Sequence, residues 1–460
     1  MSTTVDVEYL VVGAGATGMA FVDALVDHAP DVRVAMVDRR HGVGGHWLEV
    51  YPFVQLHQAS QFYGVASTVL GGGRVQERGP EAGLHERAGQ AKILAYYADV
   101  LADRLLASGR VELFTACDHV GGRTFVSRVS GERYDVPERC RVVDARYLAP
   151  DIPAEQPPPF GVEAGARVVP VNDLVHLEGA ASQYVVVGSG KTATDAIVWL
   201  LGHGVDPDAV CWVRPREPWM LNRALVQPDP VVFLGMAATM LERAAEADSL
   251  DGLLLALEDE GIMMRVDRSV VPTMAKAPTL ATWELDLLRS IEHVVRLGHV
   301  RSVAPTRLVL DDGETALAPD ALVVNCAGDG LKRPPLVPIW GRDAITLQPV
   351  RAGFPCFGAA MTGYVEATRK AHDDDAKNAV CRPSPYGNSL RDWAAMNVVG
   401  MRNAASFAAE PDVREWAQGV ALNPARVSPE HAARPELGAV QERMGAHSAR
   451  GLDKLAALMV

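Results

Sequence analysis

Two short glycine patterns, each directly behind a run of valines, constrain this chain more than any other feature. The first, Gly13-Ala14-Gly15-Ala16-Thr17-Gly18, follows Tyr9-Leu10-Val11-Val12; the second, Gly188-Ser189-Gly190-Lys191-Thr192-Ala193, follows Tyr184-Val185-Val186-Val187. In such a pattern the first glycine permits a tight turn out of a strand, the second admits a pyrophosphate to the backbone, and the third lets the following helix lie close to the sheet. The helix N-terminus then presents unpaired N–H groups and a partial positive charge to the phosphates. Two such turns predict two Rossmann-type dinucleotide-binding domains in an α/β chain.

The residues that close the next strands carry opposite charge. Asp38 ends Val32-Arg33-Val34-Ala35-Met36-Val37, 20 residues beyond Gly18, where a carboxylate can accept from both hydroxyls of a free ribose. Arg214 ends Ala209-Val210-Cys211-Trp212-Val213, where a planar fork suits a 2′-phosphate, with Arg216 close by. The second site therefore favours NADPH over NADH, with Lys191 and Thr192 expected at its phosphates. Electrons passing between two unlike dinucleotides is the simplest reading. Gly190-Lys191-Thr192 also looks like the end of an NTPase P-loop, but that pattern needs a glycine five positions before Gly190, and the residue there is Val185.

The 460 residues suffice for two or three packed domains, and a formal net charge of −13 argues against nucleic acid or an anionic membrane as partner. The start of the chain lacks the basic and apolar segments of a secretory signal, so a cytoplasmic location is the expectation. Apolar runs such as 231–240 are too short to span a bilayer and read as core helix. The six cysteines show no C-x-x-C or C-x₄-C pair, which removes the local signature of a redox-disulfide relay. No metal is expected: there is no H-E-x-x-H, and His372-Asp373-Asp374-Asp375 reads as a solvated charged run.

Along the chain, a β-α-β unit covers about 7–45, a helix follows from Gln90, and short strands run from Val111 to Val143 as an antiparallel excursion. A proline-rich stretch at 150–159 leads into the second unit, whose middle, 231–298, is helical in pattern. Asp311-Asp312-Gly313 signals a hairpin. The apolar strand within Asp320–Gly328 is expected to return to the first sheet, so that the first domain is interrupted by the second. These readings divide the chain at 1–165, 166–305 and 306–460, the last part ending in helices.

Taken together, these residues resemble the two-dinucleotide flavoproteins, and within them the class B flavin monooxygenases. Gly13 to Gly18 with Asp38 and its neighbour Arg39 is similar to their FAD motif; Gly44-Gly45-His46-Trp47 is similar to their G-G-x-W segment. Tyr51-Pro52, Ser60 and Tyr63 fall where the Baeyer–Villiger branch has a flavin-facing loop. The second fingerprint through Asp195, followed by Arg214 and Trp219, resembles their NADPH motif, and Asp320 through Gly328 resembles a late segment usually ending in Ala-Thr-Gly.

The resemblance implies a glutathione-reductase-like architecture binding FAD and NADPH. It also implies insertion of one oxygen atom from dioxygen into a small-molecule substrate through a C4a-(hydro)peroxyflavin, as N-, S- or Baeyer–Villiger oxidation. His57 and Gln58, in the loop expected against the flavin, are the catalytic candidates; a loop-packing role is the plain alternative for His57. Two departures stand out. The F-x-G-x-x-x-H signature is missing before the second fingerprint, with Val169 near the His position, and His57 stands where the Baeyer–Villiger branch has an Asp whose partner Arg has no counterpart in the sequence. A flavin reductase or dehydrogenase without oxygen insertion, and a flavin-binding redox sensor, therefore remain alternatives.

Overall fold

The valine runs become the centres of two parallel five-stranded sheets in the computed structural model, which describes residues 2–150, 152–328, 331–370 and 373–459. His372 lies outside the described residues. In the first sheet the order is Ala344–Thr346, Arg141–Asp144, Tyr9–Val12, Val34–Val37, Val111–Phe114, every neighbour parallel. In the second it is Arg167–Pro170, Leu322–Asn325, Tyr184–Val187, Val210–Val213, Val294–Val295, again all parallel. Strands buried on both faces lose the alternation of a half-exposed sheet, which is why Tyr9–Val12 and Tyr184–Val187 read as unbroken apolar runs.

Each glycine turn leads into a helix: Ala16–His28 in the first unit and Lys191–Gly202 in the second. The first helix is covered by Pro355–Thr368, approached so closely that a Cβ on Gly363 would lie 2.5 Å from Phe21 O. Leu322–Asn325 does not return to the first sheet as expected. It sits in the second, between Tyr184–Val187 and Arg167–Pro170, and Leu322 N donates to Gln183 O while Cys326 N donates to Val187 O. An apolar strand suits the middle of either parallel sheet, so its composition could not choose between them. The first sheet is completed instead by Ala344–Thr346.

The expected division at 305/306 shifts accordingly. Val300–Ala304 and Arg307–Leu310 belong to a four-stranded sheet beside the second unit, which Gly161–Val162 also joins, and Asp311-Asp312 form the two-residue hairpin loop to Gly313–Ala316. Val111–Phe114 is likewise a first-sheet strand, and only Cys117–Gly121, Thr124–Ser127 and Arg133–Asp135 make the antiparallel excursion, edged by Ser2–Thr4.

A three-stranded sheet of Met263–Met264, Pro218–Asn222 and Met274–Leu280 reaches the first unit through Thr279. Helix Pro230–Glu246 carries the last helix, Pro435–Ala457, on one side, with Gly451 against Leu241 O. All six cysteines are buried free thiols. Among the described residues no helix is long and apolar enough to cross a membrane, and no group of three or more His, Cys, Asp or Glu is placed to hold a metal ion.

Candidate functional site

The first fingerprint forms a cradle that side chains would fill. Gly13 has φ +110°, and a Cβ on Gly18 would stand 2.0 Å from Gly13 O, an impossible approach. The Gly44-Gly45 turn closes over it: Gly44 N donates to Ala14 O at 3.0 Å, and a Cβ on Gly45, at φ +61°, would lie 2.9 Å from Gly15 Cα. Asp38 is buried at the strand end, one oxygen accepting from Ala14 N (2.7 Å) and the other from Arg40 N (2.8 Å). Each oxygen keeps a second lone pair. Arg39 is exposed and pairs with Glu155.

His46 and Trp47 continue this wall. Burial and then Arg40 push the His46 imidazole down to about 4, and Trp47 Nε1 donates to Tyr63 Oη at 2.6 Å. The Ser60 hydroxyl is taken up by backbone, donating to Glu86 O and accepting from Ala88 N. The next loop brings His57 and Gln58 to the junction of the units. Thr279 Oγ1, from the three-stranded sheet, donates to His57 O, while His57 Nδ1 is buried with no hydrogen-bond partner. Burial, reinforced by Lys191 and Arg87, holds this imidazole at about 3, so it is neutral at physiological pH.

The second turn has the same backbone logic. Gly188 has φ +134°, a Cβ there would meet Cys326 O at 2.9 Å, and Trp212 Nε1 donates to Gly188 O at 2.7 Å. Cys326, two residues before Gly328, therefore lies against the second fingerprint. Ser189 is buried, whereas Gly190 and Thr192 are partly open at the helix start.

Two side chains depart from the expected placement. Lys191 does not reach out over the turn: its ammonium is buried between Asp195 and Glu284, the latter at 3.2 Å. Arg214 is also buried, its guanidinium 4.5 Å from the Trp212 ring centroid and Nη1 3.3 Å from Glu217 Oε2. Its Nε and Nη1 make no hydrogen bond, and burial lowers it to about 10. Arg216 is the exposed base at this strand end, and Trp219 is a core residue.

The Lys191 pairs belong to a buried ionic chain that has no local signature in the sequence. From the first unit, Tyr51 Oη donates to Asp195 Oδ2 (2.8 Å); Glu284 also receives Arg87 (3.3 Å), Arg87 binds Glu81 (2.6 Å), and Arg223 stands 3.2 Å from Glu81. Burial, with a smaller push from the Glu284 charge, raises the Asp195 carboxyl against the pull of Lys191 and Tyr51. At Glu284 burial is outweighed by Lys191 and Arg87, which hold it near 2. The chain thus ties the loop of the first unit to the fingerprint helix of the second. Its directly paired members lie up to 197 residues apart, beyond any local pattern.

These two glycine turns on two parallel sheets define an α/β protein with a pair of dinucleotide-type domains, the fold of flavoprotein monooxygenases. Residues 11–53 match the NAD(P)-binding Rossmann-like domain. A polycyclic ketone monooxygenase of the fungus Thermothelomyces thermophila is similar in fold, with TM-score 0.53 at 13% identity over 98% of this chain and 90% of that one. An ε-caprolactone-bound cyclohexanone monooxygenase gives TM-score 0.51 at 13% identity over 98% and 99%. By sequence, the chain belongs to the family of the uncharacterized protein Rv2000 of Mycobacterium tuberculosis, to which it is 39% identical over 424 residues, 91% of this chain and 78% of that protein. The uncharacterized protein Mb2023 of Mycobacterium bovis matches to the same extent.

Proposed function

We propose that this chain is an FAD-dependent, NADPH-consuming oxidoreductase that inserts one oxygen atom of dioxygen into a small-molecule substrate. The observation that carries the reading is the pair of glycine turns whose backbones leave room for pyrophosphate, joined across the two units by the Tyr51–Asp195 hydrogen bond. The likeness to the two monooxygenases supports the fold of that reading, and the charge pattern supports its choice of cofactors.

The residues fit FAD at the first turn. Gly13, Gly15 and Gly18 would hold its pyrophosphate by backbone N–H groups, Asp38 its ribose, and Gly45, His46 and Trp47 would close over it. At the second turn Gly188, Ser189, Gly190 and the start of the Lys191–Gly202 helix would hold the NADPH pyrophosphate. The unsatisfied Arg214 donors and the exposed Arg216 are the bases available to a 2′-phosphate. Bound together, the cofactors supply hydride transfer and the activation of dioxygen.

The protein supplies placement and dryness. The Tyr51–Asp195 bond and the ionic chain fix the loop of the first unit against the helix of the second. The Thr279 hydroxyl holds the His57 backbone, which sets the imidazole in place with its Nδ1 buried and unpartnered among the described residues. A neutral imidazole there can accept from or donate to a polar group without bringing a charge or a water shell with it.

A second reading, a reductase without oxygen insertion, draws on the same residue: His57 is neutral where the Baeyer–Villiger branch has an acid. Purified protein separates the two. Flavin content is measured first, then flavin reduction by NADPH without oxygen, then the ratio of hydrogen peroxide to NADPH on admitting oxygen with amine, thioether and ketone panels. Coupled turnover with some substrate supports insertion, and stoichiometric peroxide with all of them supports the reductase. A chain that retains no flavin, or whose flavin neither NADPH nor NADH reduces, is neither.

A further inference from the structure

A cavity of about 550 Å³, to which neither glycine turn contributes, is lined by Gln61 and His85 from the first unit, Asp229 ahead of helix Pro230–Glu246, and Asn423, Arg426 and His431 from the C-terminal connection. Its hydrogen-bonding capacity is unevenly used. Asp229 is spent, one oxygen capping Val231 N and the other bound by Arg434 at 2.7 Å. Asn423 is spent on Ala417 O, Ala425 N and Arg351. The donors are not: Arg426 uses only Nε, on Gln418 O, and makes no ion pair among the described residues, while His85 Nδ1 is buried without a partner. Glu430, the other acid, is on the rim and exposed.

Behind Asn423 stands a second guanidinium with no carboxylate partner among the described residues. Arg351 Nη1 is 3.3 Å from Asn423 Oδ1, its guanidinium lies 5.5 Å from the Phe233 ring and 6.0 Å from Phe354, and burial lowers it to about 10. Arg426 on the cavity wall, with Arg351 behind Asn423 and the unpartnered His85 Nδ1 near, favours an anion, and a planar fork favours a carboxylate. Gln61, on the cavity wall, follows three residues after Gln58 in the loop expected against the flavin. The ionic chain from Lys191 ends here too, since Arg223 Nη2 donates to His85 O at 2.6 Å.

We infer that this cavity binds the carboxylate of a small organic acid, with Arg426 as its main partner, and that such an acid is the substrate class of the protein. The second clause rests on the proposed function; the first does not. Calorimetry on the full-length protein with benzoate, phenylacetate and cyclohexanecarboxylate, against the corresponding amides, tests it. At least one acid is expected to bind tenfold or more tighter than its amide. Arg426→Gln should abolish that preference, and Arg426→Lys should restore part of it, at unchanged flavin content and circular dichroism. Equal binding of acid and amide, or a preference that survives Arg426→Gln, overturns the site. The acid that binds should also speed NADPH oxidation; binding without that effect, in protein whose flavin NADPH does reduce, overturns the substrate role. Loss of flavin reduction altogether counts against the redox reading and leaves the calorimetry to decide the cavity.

Discussion

Lys191 Nζ lies 3.2 Å from Glu284 Oε1, with both side chains within 6% of full burial, so the lysine of the second fingerprint faces the protein interior. A lysine at the first position of a dinucleotide helix is expected to meet phosphate. Here its charge is matched by two carboxylates before any ligand arrives.

Removing that ammonium should therefore be a stability lesion first. Lys191→Met leaves Glu284 and Asp195 buried and less compensated, at a cost of roughly 3–5 kcal/mol in the range for breaking one side of a buried pair. Urea unfolding measures it, and NADPH titration of the folded variant measures the alternative. A variant of unchanged stability that loses NADPH affinity tenfold would place the lysine on the phosphates.

Glycine substitutions should separate cradle from ordinary helix. Gly18→Ala puts a Cβ 2.0 Å from Gly13 O and should yield protein that folds poorly or retains no flavin. Gly445→Ala, within helix Pro435–Ala457 and with nothing within 4 Å of its Cβ, should stabilise by about 0.5–1 kcal/mol. Thermal denaturation and flavin absorbance of the two variants check the contrast; equal flavin content would remove Gly18 from the cradle.

What the sequence made legible follows the reach of its patterns. Strands buried on both faces leave valine runs, and a positive φ at Gly13 or Gly188 demands glycine, so both turns and their helices can be read locally. The pairing of Leu322–Asn325 could not, because four apolar residues satisfy either sheet, whereas the strand that does complete the first sheet, Ala344–Thr346, is short and buries only Ile345 fully. Charge at a strand end was legible and its direction was not: Arg214 turns in over Trp212 because the indole, anchored on Gly188 O, offers its face and Glu217 offers a carboxylate. Arg351 and Arg426 carry no motif at all, and only the fold brings Arg351 against Asn423, three residues before Arg426.

The two bases at the second strand end should divide their labour. If Arg214 swings out to a 2′-phosphate, Arg214→Ala weakens NADPH by roughly 1.5–3 kcal/mol more than NADH, as for a lost charged hydrogen bond. Arg216→Ala, at an exposed position, should give a smaller loss that fades with added salt. Dissociation constants for both nicotinamides at low and high ionic strength distinguish them. A phosphate preference lost wholly with Arg216 would leave Arg214 as a brace for the turn.

The two partly buried imidazoles predict the acid limb of stability. His46 and His57 have native values of about 4 and about 3, below the ordinary 6.5. Between those limits the unfolded chain binds protons that the native one does not, so their contribution is intact above pH 6.5 and is lost progressively as pH falls toward 4 and 3. Each adds a slope of ~1.4 kcal/mol per pH unit in the middle of that window. Glu284, held near 2, acts in a lower window, losing its contribution as pH falls from its ordinary 4.5. His57→Asn should therefore flatten the stability profile between pH 6 and 4.5 by about one proton's slope and leave it parallel to the parent above pH 7. Urea midpoints across that range give the comparison, and an unchanged slope would mean that the His57 ring takes up its proton in the folded protein.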